Sequence, residues 1–248
     1  MSYVTRHQRA EKRKKKLKTL AMTLIVMASL CIAGFFFLRW RSSEQRRKAL
    51  AALQIPAYTG EPYAVIHDNL PFFADEEKTV ENFESYSELD ALGRCGVAYA
   101  NLSRALMPTE ERGDIGNIRP SGWHQAKYEG IVDSTPPYLY NRCHLIAYCL
   151  TGQNANEKNL ITGTRYLNVH GMLPFEEQVA RYLDQNDHHV LYCVTPIFEG
   201  DNLLASGVLM EAWSVEDDGA GISFCVYCYN VQPGISIDYR TGENRKQK

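Results

Sequence analysis

Residues 19–38, TLAMTLIVMASLCIAGFFFL, run for twenty positions without one charged side chain, directly behind the almost wholly basic RHQRAEKRKKKLK. A helix of that length rises about 30 Å, the hydrocarbon thickness of a bilayer. The chain therefore has to be read in two portions. A cleaved signal would have a shorter apolar region ending in small residues, but RWRSSEQRRK follows here, and Leu30 stands before Cys31 where a lipoprotein site wants a small residue. The pattern predicts an uncleaved anchor. Eight Lys/Arg residues precede it and five follow closely, which keeps the N-terminus cytoplasmic and sends the remainder outward. The expected organisation is a basic tail over 1–18, a transmembrane helix over 19–38, a stalk over 39–54 and an extracellular domain over 55–248.

Thirteen of the 27 basic residues precede position 49, leaving 14, whereas 27 of the 29 acidic residues follow it. The outer portion thus carries a formal charge of about −13. A uniformly acidic surface would repel a polyanion, so the distribution of charge matters more than its sum. Between Arg112 and Arg181 there are seven basic and six acidic residues, against seven and 21 in the rest of the outer portion. Such clustering is compatible with a local anion site on an acidic body.

Six cysteines lie beyond the apolar stretch: Cys95, Cys143, Cys149, Cys193, Cys225 and Cys228. An even number in an exported domain permits disulfides. Cys225 and Cys228 resemble a CxxC pair, but SFCVYCYNV alternates as a strand, where residues three apart face opposite sides. Buried thiols are the expectation.

The globular part begins near Ile55. GRCGVAYANLS reads as a strand, PTEERGDIGNIRPSGWHQAKYEG as a Gly/Pro-rich loop, and YLYNRCHLIAYCL as a strand leading into a turn or short helix. TGQNANEKNLITG reads as a polar loop. Two helical pieces, RYLNVHGML and FEEQVARYL, are expected on either side of Pro174. Strands with turn signals follow through HHVLYCV, GVLMEAWSV and ISFCVYCYNV. Strands and helices without βα alternation give an α+β class with an antiparallel sheet flanked by helices.

Seven histidines occur, and most read as structural. His188 and His189 are adjacent, so on an extended chain they point apart and make a poor metal site. His144 differs in its company: Arg142, Asn159, Arg165, Asn168 and Glu176 follow or precede it within about thirty residues. A neutral imidazole can take a proton from water. An asparagine oxygen suits magnesium, which keeps most of its waters, and arginine can stabilise phosphate charge in a transition state. Residue types alone leave the alternatives open, since Asn-rich loops usually make turns and Glu176 would serve equally as a solvated helix start.

The run YNRCHLIAYCLTGQNANEKNLITGTRYLNVHGMLPFEEQVARYL resembles the core of the DNA/RNA non-specific endonucleases of the His-Me finger (ββα-metal) group. It is most similar to membrane-anchored and secreted nucleases of Gram-positive bacteria such as the DNA-entry nuclease. The likeness extends from about Tyr58 through RPSGWHQAKYEG to VQPGISIDY. The family has an Asp-Arg-Gly-His motif at the end of its first core strand, with the histidine as general base; Asn141, Arg142, Cys143 and His144 stand there. Asn168 stands at the metal-binding asparagine, Asn159 at a second polar asparagine nine residues earlier, and Glu176 at the glutamate that supports metal-bound water. Asn141 replaces an acid and Cys143 a glycine, departures that bear on rate and pH optimum.

The resemblance implies a magnesium-dependent endonuclease, with manganese as a substitute, that cuts DNA, and RNA as a second substrate, without strong sequence preference. It implies 5′-phosphate products, with His144 as base, Asn168 as metal ligand, Arg142 facing phosphate charge, and Asn159 and Glu176 positioning the metal and its waters. Arg119 and Arg165 are further candidates for contacting the substrate backbone. Two rival readings are a nucleic-acid-binding surface protein whose altered motif has lost its chemistry, and an enzyme with Cys143 as nucleophile. The second is weakened because Cys143 and His144 are neighbours in a strand and face opposite ways.

Overall fold

The computed structural model describes residues 52–247, residues 48–50 and scattered positions between 11 and 29. The chain divides into two units, Met1–Leu53 and Gln54–Lys248. In the first, residues 15–23 are helical, and the Thr19 and Thr23 hydroxyls donate to carbonyls four residues back. Residues 30–47 lie outside the described residues, and with them fall the later half of the expected anchor and most of the expected stalk. Among the described residues no helix is long and apolar enough to cross a membrane.

The second unit is built on a six-stranded antiparallel sheet. Its strands are β1 (Tyr63–Val65), β2 (Phe83–Tyr86), β3 (Ala98–Leu102), β6 (Val190–Ile197), β7 (Gly207–Ser214) and β8 (Ser223–Tyr229), in the order β1-β8-β7-β6-β3-β2. Between β3 and β6 the chain leaves the sheet to make a separate pair, β4 (Tyr140–His144) with β5 (Leu160–Thr164). A short helix α1 (Tyr148–Thr151) lies in the connection. Helix α2 (Leu173–Gln185) then leads to β6, and a small ribbon, β9 (Ile235–Ile237) with β10 (Asn244–Lys246), ends the fold.

The sheet is covered on both faces, which explains why VLYCVTPI and SFCVYCY are nearly continuous apolar runs. One face carries Tyr192, Val194, Met210, Phe224 and Val226 into the main core with Leu145, Leu150 and Leu167. The other carries Leu191 and Cys193 against Phe73, Phe83 and Trp213. There the fully buried Glu211 accepts the Phe72 N–H at 2.8 Å, which ties the covering segment to the sheet.

Helix α2 buries Glu176, Val179 and Leu183, an i, i+3, i+7 stripe. The carboxylate of Glu176 therefore sits on the core side of its helix, not on a solvated face. Before α2 the chain does not make the ordinary helical turn expected for RYLNVHGML. Residues Leu167–Met172 form a π-helical turn in which the Leu173 N–H reaches the Asn168 carbonyl. Pro174 has no N–H for a bond to His170, and its ring would crowd that carbonyl in an α-helix; the wider turn relieves both problems and runs into α2 without a break.

The sequence-based loop over TGQNANEKNLITG is corrected in its second half. LITGT is strand β5, with all five residues buried. Its pairing depends on Gly163, where an added Cβ would overlap the Cys143 sulfur. Cys225 and Cys228 are both buried on β8, and the Cys228 thiol is free, lying 3.5 Å from the Met210 sulfur.

Candidate active site

His144 is the last residue of β4 and is 6% exposed. Its Nε2 lies 2.9 Å from the Asn154 carbonyl oxygen. A carbonyl only accepts, so Nε2 carries the ring proton and the Nδ1 lone pair is left for chemistry. An Arg112 guanidinium nitrogen sits 3.3 Å from that Nδ1, consistent with the same tautomer because guanidinium only donates. Burial pulls the imidazole pKa below its ordinary 6.5; the Asn154 carbonyl opposes this and the Arg112 charge adds to it. The ring is thus neutral at physiological pH.

The connection from β4 to β5 is closed by one residue. The Asn159 carbonyl accepts from Leu145 N–H at 2.8 Å, its Oδ1 accepts from Ile146 N–H at 2.8 Å, and its Nδ2 donates to the Ile146 carbonyl at 2.9 Å. Asn159 is completely buried. Both ends of its amide are engaged by Ile146, so it fixes the exit of β4 immediately after His144.

Glu176 is 8% exposed and its pKa is pushed up to about 8, by burial first, with Arg112 opposing and Glu177 adding to the rise. Among the described residues no hydrogen-bond donor reaches its carboxylate. A buried carboxylate without a donor is costly unless it is protonated or faces a cation. Asn168 lies in the π-helical turn, partly buried, and its side-chain amide likewise has no hydrogen-bond partner among the described residues. The preceding residue, Leu167, packs where a Gly163 side chain would be, beside Cys143, which seats this turn on the β4–β5 pair. One amide oxygen and one unpartnered carboxylate suit a hard cation that retains most of its waters. Among the described residues no cluster of three His, Cys, Asp or Glu side chains could enclose a metal, so none of them forms a closed structural zinc site.

Arg142 shares β4 with His144, but its guanidinium is engaged. Nε donates to the Ile118 carbonyl at 2.7 Å and a terminal nitrogen to the Gly116 carbonyl at 2.6 Å. It also stacks on the Trp123 ring at 4.3 Å. Arg119 donates to the same Gly116 carbonyl at 2.6 Å. The two arginines therefore hold the loop before β4 in shape, and each retains donors on the side away from these carbonyls. Arg165 follows β5 directly, and its buried Nε has no hydrogen-bond partner among the described residues.

Cys143 is wholly buried, and burial pushes its thiol far up from the ordinary range. Packed against Gly163 and away from the His144 ring, it does not present a nucleophile. Its backbone is part of a regular strand, so cysteine occupies the position without the conformational freedom of glycine.

Two features escape sequence reasoning. Arg112 lies 32 residues before His144 in a loop where no pattern distinguishes it from other cations. The Asn154 contribution is a backbone carbonyl, which residue identity does not encode.

Residues 75–216 match the DNA/RNA non-specific endonuclease family. A deoxyribonuclease of Streptococcus dysgalactiae subsp. equisimilis is 36% identical over 110 residues, covering 42% of this chain and 32% of that protein; the chain thus spans about a third of that relative's length. Among solved structures, NucA from Streptococcus agalactiae with magnesium bound is similar with a TM-score of 0.67 and 25% identity, over 83% of this chain and 95% of that one. The Sda1 nuclease with bound zinc has a TM-score of 0.61 and 26% identity, over 75% of this chain and 97% of that one. With more than half of its length matched, the chain belongs to the DNA/RNA non-specific endonuclease family.

Proposed function

We propose that the protein is a metal-dependent endonuclease that hydrolyses phosphodiester bonds of DNA, and of RNA as a second substrate, without strong sequence preference. The observation that carries the reading is His144, buried and held by the Asn154 carbonyl in the tautomer that leaves Nδ1 as a proton acceptor. Nδ1 takes the proton of a water attacking the phosphorus in line, and the 3′ oxygen leaves, giving a 5′-phosphate end. The Arg112 contact at 3.3 Å is long for a hydrogen bond to nitrogen, so an arriving phosphate oxygen displaces it and gains the guanidinium. Arg142, already oriented by two carbonyls and Trp123, lends charge to the same phosphate.

A divalent cation fits Asn168 as direct ligand and Glu176 as the carboxylate that orients its waters, magnesium by donor type and manganese as substitute. When bound, it supplies a Lewis acid for the phosphate oxygens. Asn159 acts on this centre through the chain, by fixing the exit of β4.

The uncharged stretch over 19–38 and its heavier basic flank at the N-terminal side support a single membrane anchor with the enzyme domain outside the cell. Protease added to intact cells then removes the domain beyond residue 55 and leaves the N-terminus protected; a protected C-terminal domain refutes that orientation.

The decisive assay is plasmid cleavage by the full chain with magnesium. His144→Ala is expected to lose a hundredfold to ten-thousandfold, about the range for removing a general base, while circular dichroism stays unchanged. A wild type that binds DNA but never cuts it makes the protein a binder with altered chemistry.

A further inference from the structure

We infer that the β9–β10 ribbon and the adjoining Lys127–Tyr138 pair form a second contact surface for the phosphate backbone of the nucleic-acid substrate, continuous with the active site. The inference rests on the nuclease reading above and extends it.

The first observation is how the cations of the outer unit are partnered. Lys78, Arg94, Lys158 and Arg181 each pair with a nearby carboxylate, to Asp75, Asp90, Glu88 and Glu177 respectively. Arg240 approaches Asp238 at 3.7 Å, and Arg104 donates to the Asp184 carbonyl. Lys127, Arg245 and Lys246 have no carboxylate partner among the described residues, and all three are exposed. Arg112, Arg119, Arg142 and Arg165, at or beside the active site, share that property. Among the described residues of the outer unit, cations without a carboxylate partner thus gather in two places, the active-site region and the end of the chain, with Arg104, bonded only to a backbone carbonyl, standing apart from both.

The second observation is that the fold joins these two places. Asn244 on β10 donates to the His124 carbonyl at 2.8 Å and accepts from the Tyr128 hydroxyl at 2.6 Å. The Tyr140 hydroxyl, on β4 itself, donates to the Gly242 carbonyl at 2.9 Å. Gly242 has φ +88°, and an added Cβ there would overlap the Gly122 carbonyl oxygen, so the ribbon is seated without space against residues 122–124. Trp123 in that segment carries Arg142 on its ring, two residues along β4 from His144.

Beside it, the Lys127 ammonium stands 4.9 Å over the ring of Tyr138, which is 39% exposed. Exposed cations near an exposed aromatic face suit a nucleic-acid strand, the cations meeting phosphates and the ring offering a stacking surface. Four of the seven basic residues outside 112–181 in the outer portion fall within the last nine positions, so the chain end supplies cations where the rest of the surface repels polyanions.

The test measures binding of a labelled DNA duplex by full-length His144→Ala protein across a salt series, with and without Lys127→Ala, Arg245→Ala and Lys246→Ala together. Each phosphate contact contributes about 0.9 to the slope of log K against log salt. The triple substitution is therefore expected to flatten the slope by about 2 to 3 and to weaken binding at least tenfold at low salt. A control set, Lys78→Ala with Arg181→Ala, is expected to leave the slope unchanged. In the His144-containing protein, the triple substitution should raise KM for plasmid but leave hydrolysis of a small nitrophenyl phosphodiester unaltered.

An unchanged slope overturns the inference, and so does a triple variant that loses binding to anionic lipid vesicles but not to DNA. Failure of the parent protein to cut either substrate refutes the nuclease reading instead, and the binding series still decides this one.

Discussion

The Asn154 carbonyl holds His144 Nε2 at 2.9 Å, and through that contact the backbone of a loop residue sets which ring nitrogen keeps its lone pair. Burial and the Arg112 charge lower the pKa of that ring. The acid limb of kcat/KM is accordingly expected below the ordinary histidine value of 6.5, because activity is lost only when falling pH protonates Nδ1. Arg112→Ala removes a cation that disfavours imidazolium, so its acid limb should move to higher pH while the rate drops at least tenfold, about the loss expected for a phosphate-stabilising charge. A pH profile of both proteins checks this; a rate loss with an unmoved limb would mean that Arg112 does not act on His144.

Glu176 carries a distinct pH signature. Its folded pKa is raised to about 8 from 4.5, so the folded state favours the protonated acid. In the metal-free protein, stability from this group is complete below 4.5 and is lost progressively as pH rises towards 8. Glu176→Gln removes that loss and should stabilise the metal-free protein by roughly 3 kcal/mol at pH 7, with no difference near pH 4. Denaturant titrations in chelator at the two pH values give the comparison. Added magnesium should raise the midpoint of wild type more than that of Glu176→Gln.

Much of this arrangement could be read from residue order. The apolar runs of β6 and β8 point to a sheet, and the pattern around NRCH, Asn168 and Glu176 points to the candidate site proposed above. The part that could not be read was carried by long-range contact. LITGT looks like the tail of a polar loop until β4 lies beside it, and Arg112 is one cation among several until the fold brings it to His144. Glu176 offered two equal readings as a residue type, and only the stripe it shares with Val179 and Leu183 turns it inward. The resemblance implies a place for Asn159 near a metal, whereas both ends of its amide are spent on Ile146.

That geometry makes Asn159→Ala a stability variant first. Truncation leaves the Ile146 N–H and carbonyl buried without partners, at a cost on the order of 2–4 kcal/mol. Cleavage should fall with it, and magnesium should not restore the rate. Thermal unfolding together with a metal titration tests the pairing of the two effects; a stable variant rescued by metal would make Asn159 a participant at the metal.

Asn168→Ala should behave in the opposite way. Among the described residues its amide has no partner to leave unsatisfied, so the unfolding midpoint should change little. The magnesium concentration for half-maximal cleavage should rise at least tenfold, about 1.4 kcal/mol of lost binding, with partial recovery at high manganese. Added imidazole should help His144→Ala and not Asn168→Ala. Identical responses of the two variants would dissolve the division between metal ligand and base.

The contact of Cys143 with Gly163 imposes an order on change at these two positions. With cysteine in place, any side chain at Gly163 collides with sulfur, whereas Cys143→Gly only leaves a small void beside Leu167. A lineage exchanging the bulk from one strand to the other must therefore pass through the roomy intermediate, never the crowded one. The two positions thus share a single passage in sequence space, used in either direction, beside His144.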